Sequence, residues 1–263
     1  MILYARLGAT ALLLVALAAC SSAGHGGGHS NPPPSIEPGG LYLASSFEQP
    51  VCGNYHHPGS GCEFGIQGGV RTGAFGCRTG PGCLAEERAG LTHMGALRNV
   101  AVAGGHAFVG CAFKVPTLPA AQKAFIELMQ LSPGDGSQPL NPIEVRMYTA
   151  ERTLSLGQFK GPDEPRTTWT APVDQWFYVV VEMQYGTNVV NRMWVYGPDD
   201  TQVAQLEVPL TTAGGRGKDK PRQKIGGVTN TLSPVTTYAD DWYIATKNLG
   251  PLHIGPTGQP ISG

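Results

Sequence analysis

Hydrophobic and polar residues alternate with period two over most of the chain from residue 106 onward. That period places successive side chains on opposite faces of a strand. His106 to Val115 carries Val109, Cys111, Phe113 and Val115 on one face. Ile143 to Thr149 sets Ile143, Val145 and Met147 against Glu144, Arg146 and Tyr148. Trp176 to Tyr185 sets Phe177, Val179, Val181 and Met183 against Trp176, Tyr178, Glu182 and Gln184. Asn191 to Tyr196 and Thr201 to Val208 flank Gly197-Pro198-Asp199-Asp200, a β-turn signal. Ile225 to Leu232 and Tyr238 to Thr246 close the series, and no internal repeat is visible. Pro119 to Leu131 reads as helical at its start and as a strand at its end. Strands this regular, without helices between them, predict an all-β antiparallel β-sandwich. One face of each strand enters the core and the other is solvated, an arrangement met by two curved sheets in a jelly roll.

The first 40 residues follow a different pattern. Met1 to Ala19 has one cation, Arg6, then an apolar run from Leu7 to Ala16. That run is shorter than the roughly 20 residues a membrane span needs and suits the apolar region of a signal peptide. It ends in Leu17-Ala18-Ala19-Cys20, which resembles the bacterial lipobox, in which the cysteine thiol receives a diacylglyceryl group. The expectation is cleavage before Cys20, lipidation of Cys20, and residence outside the cytoplasm on a bacterial cell membrane or outer membrane. Ser21 to Gly40 is rich in Gly, Ser and Pro and reads as a tether, with His25 and His29 as part of its composition. The organisation expected is therefore signal peptide 1–19, lipidated tether 20–40, sandwich 41–250 and C-terminal tail 251–263.

Composition agrees with a β protein: 37 glycines and 22 prolines favour many turns. Charge is balanced at 18 Lys+Arg against 19 Asp+Glu, so no basic surplus points to nucleic acid. Five cysteines remain besides Cys20. Export permits disulfides, and the expected pairs are local, Cys52 with Cys62 and Cys77 with Cys83. Cys111 lies among inward-facing residues and reads as a buried free thiol.

Three segments together resemble one superfamily. Trp176-Phe177-Tyr178-Val179-Val180-Val181-Glu182, a polar turn, and Asn191-Arg192-Met193-Trp194-Val195-Tyr196-Gly197 are similar to a hairpin of the concanavalin A-like lectin/glucanase and laminin G-like jelly rolls. Tyr238-Ala239-Asp240-Asp241-Trp242-Tyr243-Ile244-Ala245-Thr246 resembles the last strand of polysaccharide-lyase jelly rolls, and Ser46-Phe47-Glu48 their first strand. Pro198 departs from the pattern, because the family resumes a strand there. The resemblance covers about Leu41 to Gly250 as a pattern of strands without a catalytic signature. It implies a groove that holds sugar chains. It also implies a structural calcium, for which Glu48, Asp240 and Asp241 are the candidate ligands, with turn and edge hydrogen bonding as their alternative role. No other cofactor is expected.

The outward-facing residues supply the flat faces and planar polar groups that sugars need: Glu144, Arg146, Tyr148, Trp176, Tyr178, Glu182, Gln184, Arg192, Trp194 and Tyr196, with His106 and Lys114 beside them. A polysaccharide lyase would use Arg146 to neutralise a uronate carboxylate and Tyr148, with Gln184 and His106, for proton transfer. The motifs of alginate lyases and the paired carboxylates of a retaining glucanase are absent. The expected function is binding of a polysaccharide or cell-envelope glycan without catalysis. The alternatives are a lyase acting on an acidic polysaccharide and a structural or protein-binding envelope lipoprotein.

Overall fold

The computed structural model describes residues 40–48, 51–54, 64–88, 92–93, 95–99, 106–118, 124–132, 142–158, 164–184, 186–211, 222–226, 228–231 and 233–262. Cys20, the signal and tether, Cys62, the side chain of Cys52 and the helical start expected after Pro119 lie outside the described residues. Every regular element described is a strand. The first seven are Leu41–Ser45 (β1), Val51–Asn54 (β2), Phe64–Gln67 (β3), Val70–Gly73 (β4), Cys83–Arg88 (β5), Thr92–His93 (β6) and Gly95–Asn99 (β7). Then come Ala107–Lys114 (β8), Phe125–Ser132 (β9), Ile143–Tyr148 (β10), Leu154–Gly157 (β11), Phe177–Met183 (β12) and Val189–Tyr196 (β13). The last are Gln202–Leu210 (β14), Arg222–Ile225 (β15), Val228–Thr229 (β16), Val235–Ala245 (β17), His253–Ile254 (β18) and Pro260–Ile261 (β19).

Two sheets form the sandwich. The first runs β14-β13-β12-β8-β17-β5-β4, with β1 sharing an edge of the long β17 with β5. The second runs β11-β10-β9-β15-β7-β3-β2, with the short β16 and β6 paired beside it. All pairs are antiparallel except β2 with β3. One buried cluster fills the space between the sheets, and the inward residues expected from alternation on β8, β10 and β12 all belong to it. The expected turn is present: the Gly197 N–H reaches Thr201 O at 2.9 Å, and Asp200 takes a positive φ of 62°.

Two features depart from expectation. The outer face of the first sheet is covered rather than solvated: Leu41, Ala44, Ala112, Tyr178, Val180, Tyr243, Ala245 and Ile254 form a second buried cluster. The expected tail supplies that cover, since β18 and β19 pair as a hairpin and Ser46 Oγ ties its Gly255 carbonyl at 3.0 Å. Strands of two residues are too short for alternation to reveal. Tyr178, placed outward by alternation, is consequently fully buried. Beneath this cover, Gly110 lies against the Tyr243 ring: a Cβ there would stand 2.2 Å from Tyr243 Cε1.

Candidate functional site

The outer face of the second sheet is polar where its inner face is apolar. Ile126, Leu128, Ile143, Val145, Met147, Leu154 and Ile225 point into the core. Their neighbours along β9, β10, β11 and β15 point away and line up across the strands. One row reads Gly157, Glu144, Gln130, Lys224; the next reads Ser155, Arg146, Glu127; Tyr148 and Phe125 follow. A bulge between Val145 and Arg146 sets Arg146 opposite Glu127.

Arg146 is the centre of this face. Its Nη2 pairs with Glu144, and its Nη1 donates to Glu164 Oε1 at 2.9 Å. The other Glu164 oxygen accepts from Ser155 Oγ at 2.9 Å and from Tyr148 Oη at 3.2 Å. Gln130 donates to Glu144 at 3.3 Å. Gly157 gives Glu164 its place, since a Cβ there would come within 3.0 Å of the carboxyl carbon. Two rings edge the network: the Arg146 guanidinium lies 4.6 Å over Phe125, and that of Arg166 lies 3.5 Å over Tyr148. Glu144 and Arg146 are each only 3% exposed and the Glu164 side chain only 7%, whereas Phe125, Gln130, Tyr148 and Arg166 are half-buried. A dry, fixed ion pair is thus surrounded by accessible planar groups. Burial pushes the Glu144 carboxyl up against the opposing pull of Arg146. Burial, reinforced by the Glu164 charge, pushes the Tyr148 phenol up as well.

The four residues considered for a lyase do not converge. Arg146 and Tyr148 sit on the second sheet, whereas His106 and Gln184 flank β8 and β12 of the first. Alternation places a residue on a face but does not say which sheet the strand joins, and this is why they looked adjacent. His106 Nε2 lies 3.0 Å from Glu182 Oε1, which also accepts from Gln184 Nε2 at 2.7 Å. Arg192 joins the other oxygen at 2.8 Å and bridges to Glu207 at 3.0 Å. Burial alone would raise Glu182, but hydrogen bonds from Arg192, Gln184 and His106 outweigh it and hold the carboxyl below its ordinary range. Phe108 and Trp194, with ring centres 6.0 Å apart, lie beside this group. Tyr196 meets Asn248 Nδ2 at 3.4 Å, and Trp176 and Lys114 sit at a separate part of the same sheet.

The acidic residues considered for calcium are occupied by protein donors. Asp240 accepts the N–H groups of Arg78, Thr79 and Asp241 at 2.8, 2.9 and 2.8 Å. Asp241 accepts from Arg78 Nη1 at 2.6 Å, Thr79 Oγ1 at 2.8 Å and the Ile254 N–H at 2.7 Å. Glu48 accepts from the Gly82 N–H at 3.1 Å. Arg78 supplies the cation, so the arrangement does not fit a calcium ion, which takes 6–8 oxygen ligands. Burial, then the Asp241 charge, pushes Asp240 up to about 8, against its three N–H donors. Arg78 also donates to the Leu252 carbonyl at 2.6 Å and to Asp200 at 2.6 and 2.7 Å, and sits 3.3 Å from His253 Nε2. The loop bearing it is closed by the expected Cys77–Cys83 disulfide. Cys83 and Cys77 lie near Asp240, but bonded sulfurs offer no thiolate to a metal. Cys111 is the buried free cysteine that alternation suggests.

Sequence reasoning missed Arg78, Asp200, Glu164 and His253. The only signal for Arg78 was its place between two cysteines. Glu164 lies in a segment rich in Gly and Pro, where no period marks direction.

No protein-family model matches the chain, and no curated protein matches it in sequence. Solved structures do. An endo-β-1,4-glucuronan lyase from the fungus Trichoderma reesei aligns with a TM-score of 0.54 at 12% identity, over 79% of this chain and 96% of that one. The cellulose-induced protein Cip1 aligns at 0.53 and 10% identity, over 80% and 99%. A protein of unknown function from Shewanella oneidensis MR-1 aligns at 0.52 and 11%, over 84% and 93%. At such identities the likeness concerns the fold alone, and this chain is a jelly-roll β-sandwich of the kind its sequence resembles.

Proposed function

We propose that this chain is an extracytoplasmic lipoprotein, held to a bacterial membrane through lipid on Cys20, that binds a polysaccharide or cell-envelope glycan without cleaving it. The observation that carries the reading is the polar face of the second sheet. A dry ion pair costs more to keep than a packed apolar pair of the same volume. Glu144, Arg146 and Glu164 nevertheless sit at the centre of that face, outside the core, with half-buried rings and amides around them. Such a fixed network holds the half-buried Gln130 and Tyr148 in place to meet sugar hydroxyls without reordering. The fold is one that a glucuronan lyase also uses, which lends support to a glycan ligand.

Binding is favoured over lysis by the state of the two residues a lyase would need. Arg146 is committed to two carboxylates, and Tyr148 is raised away from the phenolate a base requires. The test is electrophoresis of the full chain in detergent through native gels cast with neutral and acidic polysaccharides. Retardation in one gel, lost in Arg146→Ala and Tyr148→Ala, is the expected result. Unsaturated product accumulating with the retarded protein would replace the binder with a lyase. Equal mobility in every gel would leave the envelope-scaffold alternative.

A further inference from the structure

At the margin of the first sheet, two cations and three aromatic rings contact one another in sequence. Arg71 on β4 opposes Ala85 on β5, Ala85 opposes Tyr238 on β17, and Tyr238 opposes Lys114 on β8. The Phe75 ring stacks on Tyr238 at 5.7 Å and 16° between planes, and the Arg71 guanidinium lies 5.1 Å over Phe75. The Lys114 ammonium sits 5.1 Å over Tyr238 and 5.2 Å over Trp176. Lys114 and Trp176 both donate to the Gly76 carbonyl, at 2.9 and 3.2 Å. The Cys77–Cys83 disulfide closes the loop adjoining Phe75 and Gly76. Gly76, at a positive φ of 69°, leaves Lys114 its room, since a Cβ there would stand 3.2 Å from Nζ.

We infer that this ladder is a binding platform for an acidic glycan, a chain of pyranoses carrying carboxylate or sulfate groups. Both cations lack a carboxylate partner among the described residues. Each is held in place by rings, which fix its position without neutralising it. An anionic ligand therefore meets two uncompensated charges with little desolvation of competing acids. Phe75, Tyr238 and Trp176 are half-buried. Rings already stacked on one another and capped by cations are not free to wedge into a bilayer, while the two fixed charges suit the spaced carboxylates or sulfates of a glycan, which favours a glycan over a lipid surface. The row crosses from β4 to β12, about 19 Å at the usual strand spacing, which is the dimension of a short oligosaccharide. This platform does not rest on the second-sheet reading and lies on the other sheet.

The test measures retention of the full chain in detergent on immobilised polyglucuronate, on neutral dextran, and on phosphatidylglycerol vesicles, at low and at moderate salt. Wild type is expected to bind polyglucuronate and not dextran, with retention falling as salt rises. Arg71→Glu, at an exposed position, is expected to weaken binding about tenfold or more, the equivalent of one charge-assisted hydrogen bond. Lys114→Ala is expected to do the same and Lys114→Arg to restore it, while circular dichroism of each variant matches wild type. Retention lost in Tyr148→Ala but kept in Arg71→Glu and Lys114→Ala would overturn this platform and leave the second-sheet site standing. The opposite pattern would keep the platform and remove that site. Binding to vesicles alone would also overturn the inference, because the charge would then serve a membrane.

Discussion

Replacing Arg78 with alanine gives a sharp test of how the first sheet keeps its cover. The Arg78 side chain is 8% exposed and reaches Asp241, which is fully buried, and Asp200, which is 34% exposed. It also holds the Leu252 carbonyl just ahead of β18. Removing one partner of a buried ion pair costs about 3–5 kcal/mol, because the other charge stays buried without it. Asp241 keeps the Thr79 hydroxyl and the Ile254 N–H, which places the cost near the lower end, about 3 kcal/mol. The partly exposed Asp200 contact adds at most about 1 kcal/mol. For a domain of this size each kcal/mol lowers Tm by about 2–4 °C, so a total of about 3–4 kcal/mol makes Arg78→Ala melt about 6–16 °C below wild type. Asp200→Ala, losing only the exposed arm, is expected to fall by less than half as much. Thermal unfolding followed by far-ultraviolet circular dichroism measures both, and limited proteolysis locates the loosened segment at the C-terminal hairpin. A loss below about 1 kcal/mol in Arg78→Ala, or equal losses in the two variants, would refute the reasoning.

Other consequences are as direct. Gly110→Ala forces a methyl into the Tyr243 ring and is expected to cost about 1–3 kcal/mol by urea denaturation; Tyr243→Leu in the same chain should recover part of it, and no recovery would place the strain elsewhere. Arg146→Ala leaves Glu144 and Glu164 without their shared cation, and a loss of about 3 kcal/mol or more is expected at pH 7, smaller at pH 4 where the raised Glu144 carboxyl can hold a proton. Burial raises the Glu86 carboxyl, against the opposing charge of Arg88 at 3.2 Å. The folded state then keeps a proton that the unfolded chain has released, so the Glu86 contribution is complete below the unfolded value of 4.5 and is lost as pH rises through the folded one. Stability measured between pH 4 and 8 should fall less steeply in Glu86→Gln, and an unchanged slope would assign the dependence to other groups.

The strands with long alternation were legible in the sequence because a half-buried strand must alternate. Val109, Phe113, Val145, Val179 and Met183 all reach the core that alternation gives them. Sheet membership was not legible, because the period of a strand carries no record of its partner. For this reason Arg146 and His106 could be grouped as candidates for one site and yet belong to different sheets. The outer faces were misread for a second reason: a face that reads as amphipathic can be covered by a short, aperiodic segment, as Tyr178 is beneath the hairpin ending at Ile261. Within the candidate site, Glu144, Arg146 and Tyr148 were found by their shared strand face, while Glu164 was hidden in a loop whose direction only the folded chain sets.

The pairing of β1 with β17 bears on how the molecule comes into being. Leu41 lies beside Ala245, so the first described strand of the sandwich has β17, the last long one, as its partner. No early stretch can complete the first sheet, and the closing of so long a loop must precede the contacts that reward it. A chain emerging from a ribosome therefore carries β1 without its partner until β17 has been made, although β2, β3, β4, β5 and β7 can pair among themselves earlier. In that interval Leu41 and Tyr42, buried in the finished fold, stay open to a chaperone.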